Sequence, residues 1–241
     1  MMGLKERIAS LVEESIEFIH YNVPEEGYHL AFSGGKDSIV LYDIAKLSGV
    51  KFDSHYNITS ADPPELVQFI KKYYPQVLMD FPGITMWKLI PKKLFPPMRT
   101  IRYCCEALKE GGGEGRLVLI GNKKSDSYSR SKRNRISTCK KKTNLTLSPL
   151  YYWEDSDIWQ YIKRRSMRYC KLYDEGFTRL GCIGCPMATK SRRLIELSRW
   201  PKYKNAYLRS FARMLDARKK RGKPEGDWKT PQDVYDWWIK G

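Results

Sequence analysis

A glycine-rich turn carrying a lysine and an acid, Ser33-Gly34-Gly35-Lys36-Asp37-Ser38, separates the apolar run Leu30, Ala31, Phe32 from Ile39, Val40, Leu41, Ile44 and Ala45. The first set reads as a buried strand, and the second recurs at helical spacing. Such a turn aims backbone N–H groups and the positive end of a helix dipole at one point, which is an anion site. Glycine permits positive φ and close approach of the anion. Lys36 can neutralise a phosphate, the hydroxyls of Ser33 and Ser38 can donate to its oxygens, and Asp37 can order the turn or position a metal-bound phosphate. The GxxxxGK[ST] spacing of the Walker loop is absent. A turn that binds nothing is the plain alternative, and six consecutive suitable residues between strand and helix argue against it.

Cysteines form the second set. Cys182 and Cys185 have the CxxC spacing that turns two sulfurs toward one centre, and Cys104-Cys105 can complete a set of four. Four thiolates suit an iron–sulfur cluster or a zinc ion, and unligated core cysteines are the bland case. Adjacent helical side chains diverge, so spacing alone leaves these open. Cys139 and Cys170 match no ligand position. Cys170 is expected to be buried and Cys139 to be an exposed thiol in a basic loop, with a lowered pKa and able to carry sulfur. His20, His29 and His55 are scattered along the chain, and structural roles are expected for all three.

The frame for these residues is an alternation of elements. Leu4, Ile8, Leu11, Val12, Ile16 and Ile19 predict an amphipathic first helix. Strands are predicted at 28–32, 51–58, 76–80 and 116–121, with helices at about 37–47, 63–74 and 102–110. Short connections between them predict an α/β fold: an open, mostly parallel, doubly wound, Rossmann-like sheet with helices on both faces. Residues 122–143 read as a polar, basic loop. Beyond Leu147 a helix runs through Ile158, Trp159, Tyr161 and Ile162, with acids at its N-terminal end as the dipole favours. A cysteine-containing loop region at 168–187 and basic helical segments to about 220 follow, then a linker at 221–226 and a short helix carrying Trp237 and Trp238. The expected division is a nucleotide-binding domain at 1–150, a cysteine-containing and basic helical region at 151–221 packed on it, and a linker with a terminal helix at 222–241.

The 241 residues suffice for a sizeable core, and no apolar run has membrane-spanning length. The N-terminus lacks a signal-peptide pattern, which makes disulfides the lesser use of the cysteines and points to the cytoplasm. The net charge of +17 is concentrated: Lys123–Lys142 holds nine Lys/Arg against one acid, and Lys190–Lys223 holds thirteen against two. A patchy excess of this size meets an anionic partner more often than it merely aids solubility.

After the first strand, SGGKDS resembles the PP-loop of N-type ATP pyrophosphatases, which bind ATP's phosphates, adenylate a substrate and release pyrophosphate. Tyr103-Cys104-Cys105-Glu106-Ala107-Leu108-Lys109 is similar to the paired-cysteine segment of the adenylyl-sulfate and phosphoadenylyl-sulfate reductase family. Leu147-Ser148-Pro149-Leu150, Trp153, Asp155–Trp159, Tyr173-Asp174-Glu175-Gly176 and Gly181-Cys182-Ile183-Gly184-Cys185 follow in that family's order, so the resemblance covers roughly residues 28 to 190. It implies ATP or a sulfonucleotide at residues 33–38 with Mg²⁺, and a [4Fe-4S] cluster on Cys104, Cys105, Cys182 and Cys185. The segment Gly121–Arg130 resembles the family's second phosphate- or sulfate-binding loop. Its usual Gly-x-Arg is here Gly121-Asn122-Lys123, which replaces a bidentate fork with a point charge. Lys123, Arg130 and Lys109 are implied anion contacts, and Lys36, Asp37 and Arg130 the implied catalytic residues. Thr59 and Asp62 are implied ribose or adenine contacts.

Reductases of the family attack sulfur with a cysteine in a terminal Glu-Cys-Gly-type segment, whereas this chain ends DVYDWWIKG with no cysteine beyond Cys185. The expectation is therefore an ATP pyrophosphatase that adenylates an oxygen for replacement by sulfur. It resembles the sulfur-transfer component of DNA phosphorothioation systems and, more distantly, tRNA thiolases. The implied partners are an adenine nucleotide, nucleic acid (DNA or tRNA) and a sulfur-donor protein such as a cysteine desulfurase. A reductase using Cys139 or another chain's thiol is the second reading. A non-enzymatic basic nucleic-acid-binding protein with a four-cysteine zinc site is the third.

Overall fold

The structure, a computed structural model, describes residues 4–138, 144–223 and 226–240. Cys139, and Pro224 and Glu225 of the expected linker, lie outside the described residues. The chain forms two compact units that interleave along the sequence. The first comprises residues 1–56, 64–80 and 112–180, and the second 57–63, 81–111 and 181–241.

In the first unit, α1 (Leu4–Tyr21), β1 (Tyr28–Ala31), α2 (Lys36–Ser48), β2 (Phe52–Asn57), α3 (Pro64–Tyr73) and β3 (Leu78–Asp80) alternate as expected. β4 (Val118–Leu119) follows, then a 3-10 turn at Lys124–Asp126, α6 (Tyr128–Ser131), β5 (Ile136–Thr138), β6 (Leu145–Leu147) and α7 (Asp155–Arg164). The six strands lie in the order β3-β2-β1-β4-β6-β5. β1 pairs in parallel with both β2 and β4, and β4 with β6, while the edge strand β5 runs antiparallel to β6. The strand order reverses at β1, so the crevice beyond its carboxyl end is the place where open α/β sheets hold ligands. The segment read as a basic loop contains a 3-10 turn, a short helix and strand β5, because Ile136 and Thr138 find ladder partners on Leu147 and Leu145.

Apolar burial locks this unit. Leu30, Ile39, Val40, Leu41, Ile44 and Ala45 are fully enclosed, as their spacing predicts. Trp153 is fully buried and its indole N–H donates to Ser15 Oγ at 3.0 Å, which in turn donates to the Pro149 carbonyl at 3.0 Å. Ser15→Ala removes both bonds and strands the buried indole N–H. It is expected to lower the unfolding free energy by about 1–3 kcal/mol in urea titrations.

The second unit is built from α4 (Met86–Lys93), α5 (Tyr103–Leu108), α8 (Lys190–Arg199), α9 (Pro201–Lys220) and α10 (Pro231–Lys240). Its core joins Tyr207, Phe211 and Trp238, whose rings lie 4.6–6.0 Å apart. Arg193 is buried there, 4.3 Å over the Trp238 ring and donating to the Trp238 carbonyl at 2.8 Å. Its charge is therefore spent inside, whereas Arg199, Lys202, Arg209, Lys219 and Lys220 remain exposed along α8 and α9. Among the described residues no helix is long and apolar enough to cross a membrane.

Candidate nucleotide site and cysteine centre

Residues 33–38 sit directly beyond β1, at the switch point. Gly34 has φ +70°, and a Cβ there would lie 2.7–2.8 Å from Ile70 and Leu66, so both backbone and space demand glycine. Gly121, after β4, comes so close to α2 that a Cβ would meet the Asp37 carbonyl and the Ser38 nitrogen at 3.2–3.3 Å. The loops after β1 and β4 thus share one crevice.

Two of the loop amides carry protein partners. Lys36 N–H donates to Tyr173 Oη at 2.8 Å, and Gly35 N–H to Ser33 Oγ at 3.4 Å. The hydroxyls read as phosphate donors are also engaged: Ser33 Oγ donates to Ser38 Oγ at 3.0 Å, and Ser38 Oγ to the Gly35 carbonyl at 2.9 Å. The Tyr173 oxygen stands on the Lys36 amide where an anion's oxygen would bond, so an entering phosphate must displace it.

The charged residues form a compact network. Lys36 Nζ lies 3.0 Å from both Asp37 Oδ2 and Asp155 Oδ1. Lys123 Nζ contacts Asp37, Asp126 at 2.9 Å and Asp155 at 3.0 Å. Arg130 pairs with Asp126. The Lys36 and Lys123 side chains are 5% and 0% exposed, against 65% for Asp155. Burial works against the charge of Lys123, but Asp37 and Asp126 override it and hold the ammonium above its usual pKa. Burial likewise opposes ionisation of Asp126 and Asp155, and the lysines outweigh it, holding both carboxyls below the ordinary range. Three cations therefore face three carboxylates. Asp155, Asp126 and Tyr173 are the members that sequence reading missed as site residues. Asp155 stood in a quoted motif but was read as a helix-terminal acid, a role its position at the start of α7 also allows.

The second unit holds the cysteines. Cys104 and Cys105 open α5, and Cys182 and Cys185 lie on the loop before α8. That loop is pinned by Ile183 N–H to the Ala61 carbonyl at 2.8 Å, Tyr207 Oη to the Ile183 carbonyl at 2.9 Å, and Gly184 N–H to Glu196 Oε2 at 2.9 Å. Cys182 Sγ donates to Thr59 Oγ1 at 3.4 Å. Thr59 and Asp62 belong to this unit. The Thr59 amide and hydroxyl both donate to the Asp62 carboxylate at 2.7 Å, and both residues are buried. The two Thr59 donors are thus engaged within this unit.

The five described cysteines are all free thiols, and Cys170 is buried as expected. Cys104 donates to Cys105, which with burial holds the Cys104 thiol far above its usual range. Cys105 accepts that bond and another from Arg102, and is drawn down toward the thiolate despite burial. Lys109 is held charged first by the neighbouring Cys182 sulfur, then by Asp62 and Cys185. Free sulfurs set among cations on a pinned loop can hold an iron–sulfur centre, which needs thiolates. A single zinc ion would draw its sulfurs to about 3.8 Å of one another. Among the described residues no three of these sulfurs fall within 4.8 Å of each other.

An open, mostly parallel sheet with a glycine-rich, lysine-bearing loop at its switch point is the arrangement of the PP-loop class of α/β proteins. Within it the chain belongs to the phosphoadenosine phosphosulfate reductase domain family, whose model matches residues 27–188. The Methanocaldococcus jannaschii protein MJ0066 is 29% identical over 204 residues, 76% of this chain and 42% of that protein. The adenosine 5'-phosphosulfate reductase of Anoxybacillus flavithermus is 24% identical over 193 residues, 70% of this chain and 77% of that enzyme. The chain spans about half the length of two Methanocaldococcus jannaschii relatives, 42% of one and 56% of the other. A crystal structure of phosphoadenylyl-sulfate reductase from Candida auris in complex with phosphate superposes with a TM-score of 0.54 at 17% identity, over 76% of this chain and 96% of that one. That likeness speaks for the fold.

Proposed function

We propose that this chain is an ATP pyrophosphatase that adenylates a substrate oxygen in preparation for sulfur incorporation, with nucleic acid as the substrate class. The observation that carries this reading is the alternation of Lys36 and Lys123 with Asp37 and Asp155 in the crevice beyond β1. Cations alone would serve a sulfonucleotide. Carboxylates interleaved with them would instead repel a bare polyphosphate, and they suit a magnesium–nucleotide complex, because Mg²⁺ is bound through one or two carboxylates plus substrate phosphates. Asp37 and Asp155 are the residues to hold it, and the ion would neutralise charge on the pyrophosphate leaving group. Lys36 and Lys123, released from those carboxylates, contact the phosphates, with Arg130 beside them, and stabilise the charge that develops there. The exposed cations of α8 and α9 in the second unit, and separately Lys124, Lys132 and Arg133 in the first, can each supply sequence-independent contacts to a nucleic-acid backbone. Cys104, Cys105, Cys182 and Cys185 are the residues to hold a [4Fe-4S] cluster, which would supply a site for holding or relaying sulfur. A sulfur-donor protein such as a cysteine desulfurase is the partner this chemistry requires.

The test uses anaerobically purified chain with ATP, Mg²⁺ and duplex DNA or tRNA. Pyrophosphate release that depends on Mg²⁺, rises with nucleic acid and disappears in Lys36→Ala is the expected result. Sulfite release from adenylyl sulfate with a thiol reductant, without pyrophosphate release from ATP, would overturn it in favour of a reductase. The family match and the reductase relatives make that the second reading.

A further inference from the structure

His29 and His55, far apart in sequence, are neighbours in the sheet. The parallel register sets His29 beside Asp53 and Ala31 beside His55, so His29, Asp53 and His55 lie on one face of β1 and β2. Their rings stack with centroids 4.3 Å apart. One donor atom from each of His29, Asp53 and His55 falls within 4.8 Å of the other two, the one such group among the described residues.

The protonation pattern makes this arrangement specific. Asp80, at the end of β3, lies 2.7 Å from His55 Nδ1, which fixes the ring proton on that nitrogen. The lone pair then sits on Nε2, which is buried, makes no hydrogen bond, and faces Asp53 Oδ2 at 3.5 Å. A lone pair facing a carboxylate oxygen, here on a side chain 42% exposed, is repulsive unless a cation, a metal ion or a proton, stands between them. A carboxylate on Nδ1, with the Nε2 lone pair left free, is also the outer-shell arrangement that orients metal-binding histidines. Arg116 Nη1 grips both oxygens of Asp53 at 2.7–2.8 Å and Arg116 Nη2 donates to the Gly27 carbonyl, which fixes the carboxylate's aim. A carboxylate has about four lone-pair sites, so Asp53 can serve Arg116 and a metal together. His29 is buried, its ring stacked on that of His55.

We propose that His29, Asp53 and His55 bind a zinc-class divalent cation, with Asp80 as the residue that orients His55. Two imidazoles and one carboxylate select first-row cations of this kind over Mg²⁺ or Ca²⁺, which prefer all-oxygen shells. Three protein donors leave a fourth position for water. Bonds of about 2 Å would bring the donors to about 3.3 Å of one another, a shift reached by rotating the stacked rings. The site ties β1 to β2, and it stands whether or not the crevice beyond β1 binds ATP.

Co²⁺ titration of the full apo chain tests this, because cobalt bound to thiolates shows intense near-ultraviolet charge-transfer bands that a nitrogen–oxygen site lacks. Wild type is expected to bind one equivalent more than His55→Ala, with a difference spectrum free of those bands. Cys182→Ser is expected to keep that equivalent. Asp80→Asn, which retains every ligand, should bind it about 10–100-fold more weakly. Co²⁺ should also raise the melting midpoint of wild type and of Cys182→Ser. Equal stoichiometry in wild type and His55→Ala, or unchanged affinity in Asp80→Asn should His55→Ala fail to fold, would overturn the proposal in favour of a proton shared between His55 and Asp53.

Discussion

Replacing Lys123 with alanine is expected to lower the unfolding free energy by about 3–5 kcal/mol and to abolish nucleotide binding together with turnover. The Lys123 side chain has no exposure, and it separates Asp37 from Asp126 and Asp155. Its removal leaves the partly buried carboxylates of Asp37 and Asp126 facing one another without the cation they share. Urea titration measures the first effect, and Lys123→Ala/Asp126→Ala is the control. Deleting the stranded carboxylate should restore about 0.5–3 kcal/mol of coupled loss without restoring turnover. A single variant that loses under about 1 kcal/mol would show that water reaches the network. Lys36→Ala is expected to cost less stability, because its partner Asp155 is mostly solvated. The network also defines a pH window. Asp126 and Asp155 have depressed folded pKa values, so their contribution is present above the ordinary carboxylate value near 4 and is lost as pH falls through the folded values. Lys123 is raised, so its contribution is present below about 10.4 and is lost only as pH rises through its folded value.

Cys182→Ser is expected to remove the iron and the broad visible absorbance of anaerobically purified protein while leaving the second unit folded. Serine keeps a donor for Thr59 Oγ1, and the loop's backbone anchors on Ala61, Tyr207 and Glu196 do not involve the sulfur. Iron content, colour and far-ultraviolet circular dichroism are the readouts. Retained iron with retained colour would refute the ligand assignment, and zinc without colour in wild type would favour the third reading.

Strands β1 to β3 and their helices were legible because Leu30, Ile39, Leu41 and their neighbours repeat with unambiguous periods and are buried accordingly. Helix α4 was not, since Pro91 lies inside it and prolines flank it. It forms because Thr85 caps its first turn, accepting from Lys88 N–H, and because Met86, Leu89 and Ile90 bury one face. Strands β5 and β6 were hidden by their polar, basic surroundings, for three-residue strands carry too little alternation to register. The glycine loop and the four cysteines were visible from residue type and spacing. Asp126, Asp155 and Tyr173 were not, because their meeting with Lys36 and Lys123 depends on which strands are neighbours. The pairing of His29 with His55 was lost for the same reason: only the register of β1 on β2 reveals it.

The interleaving of the second unit bears on how the protein is made. Cys104 and Cys105 leave the ribosome well before Cys182, and at synthesis rates of about 5–20 residues per second the lag is roughly 4–15 seconds. Throughout that interval half of the proposed ligand set is present without the other half, its supporting helices α8, α9 and α10 not yet translated. A nascent chain in this state offers adjacent thiols to oxidants and stray metals, so the order of synthesis itself favours assembly of the centre after chain release, under reducing conditions.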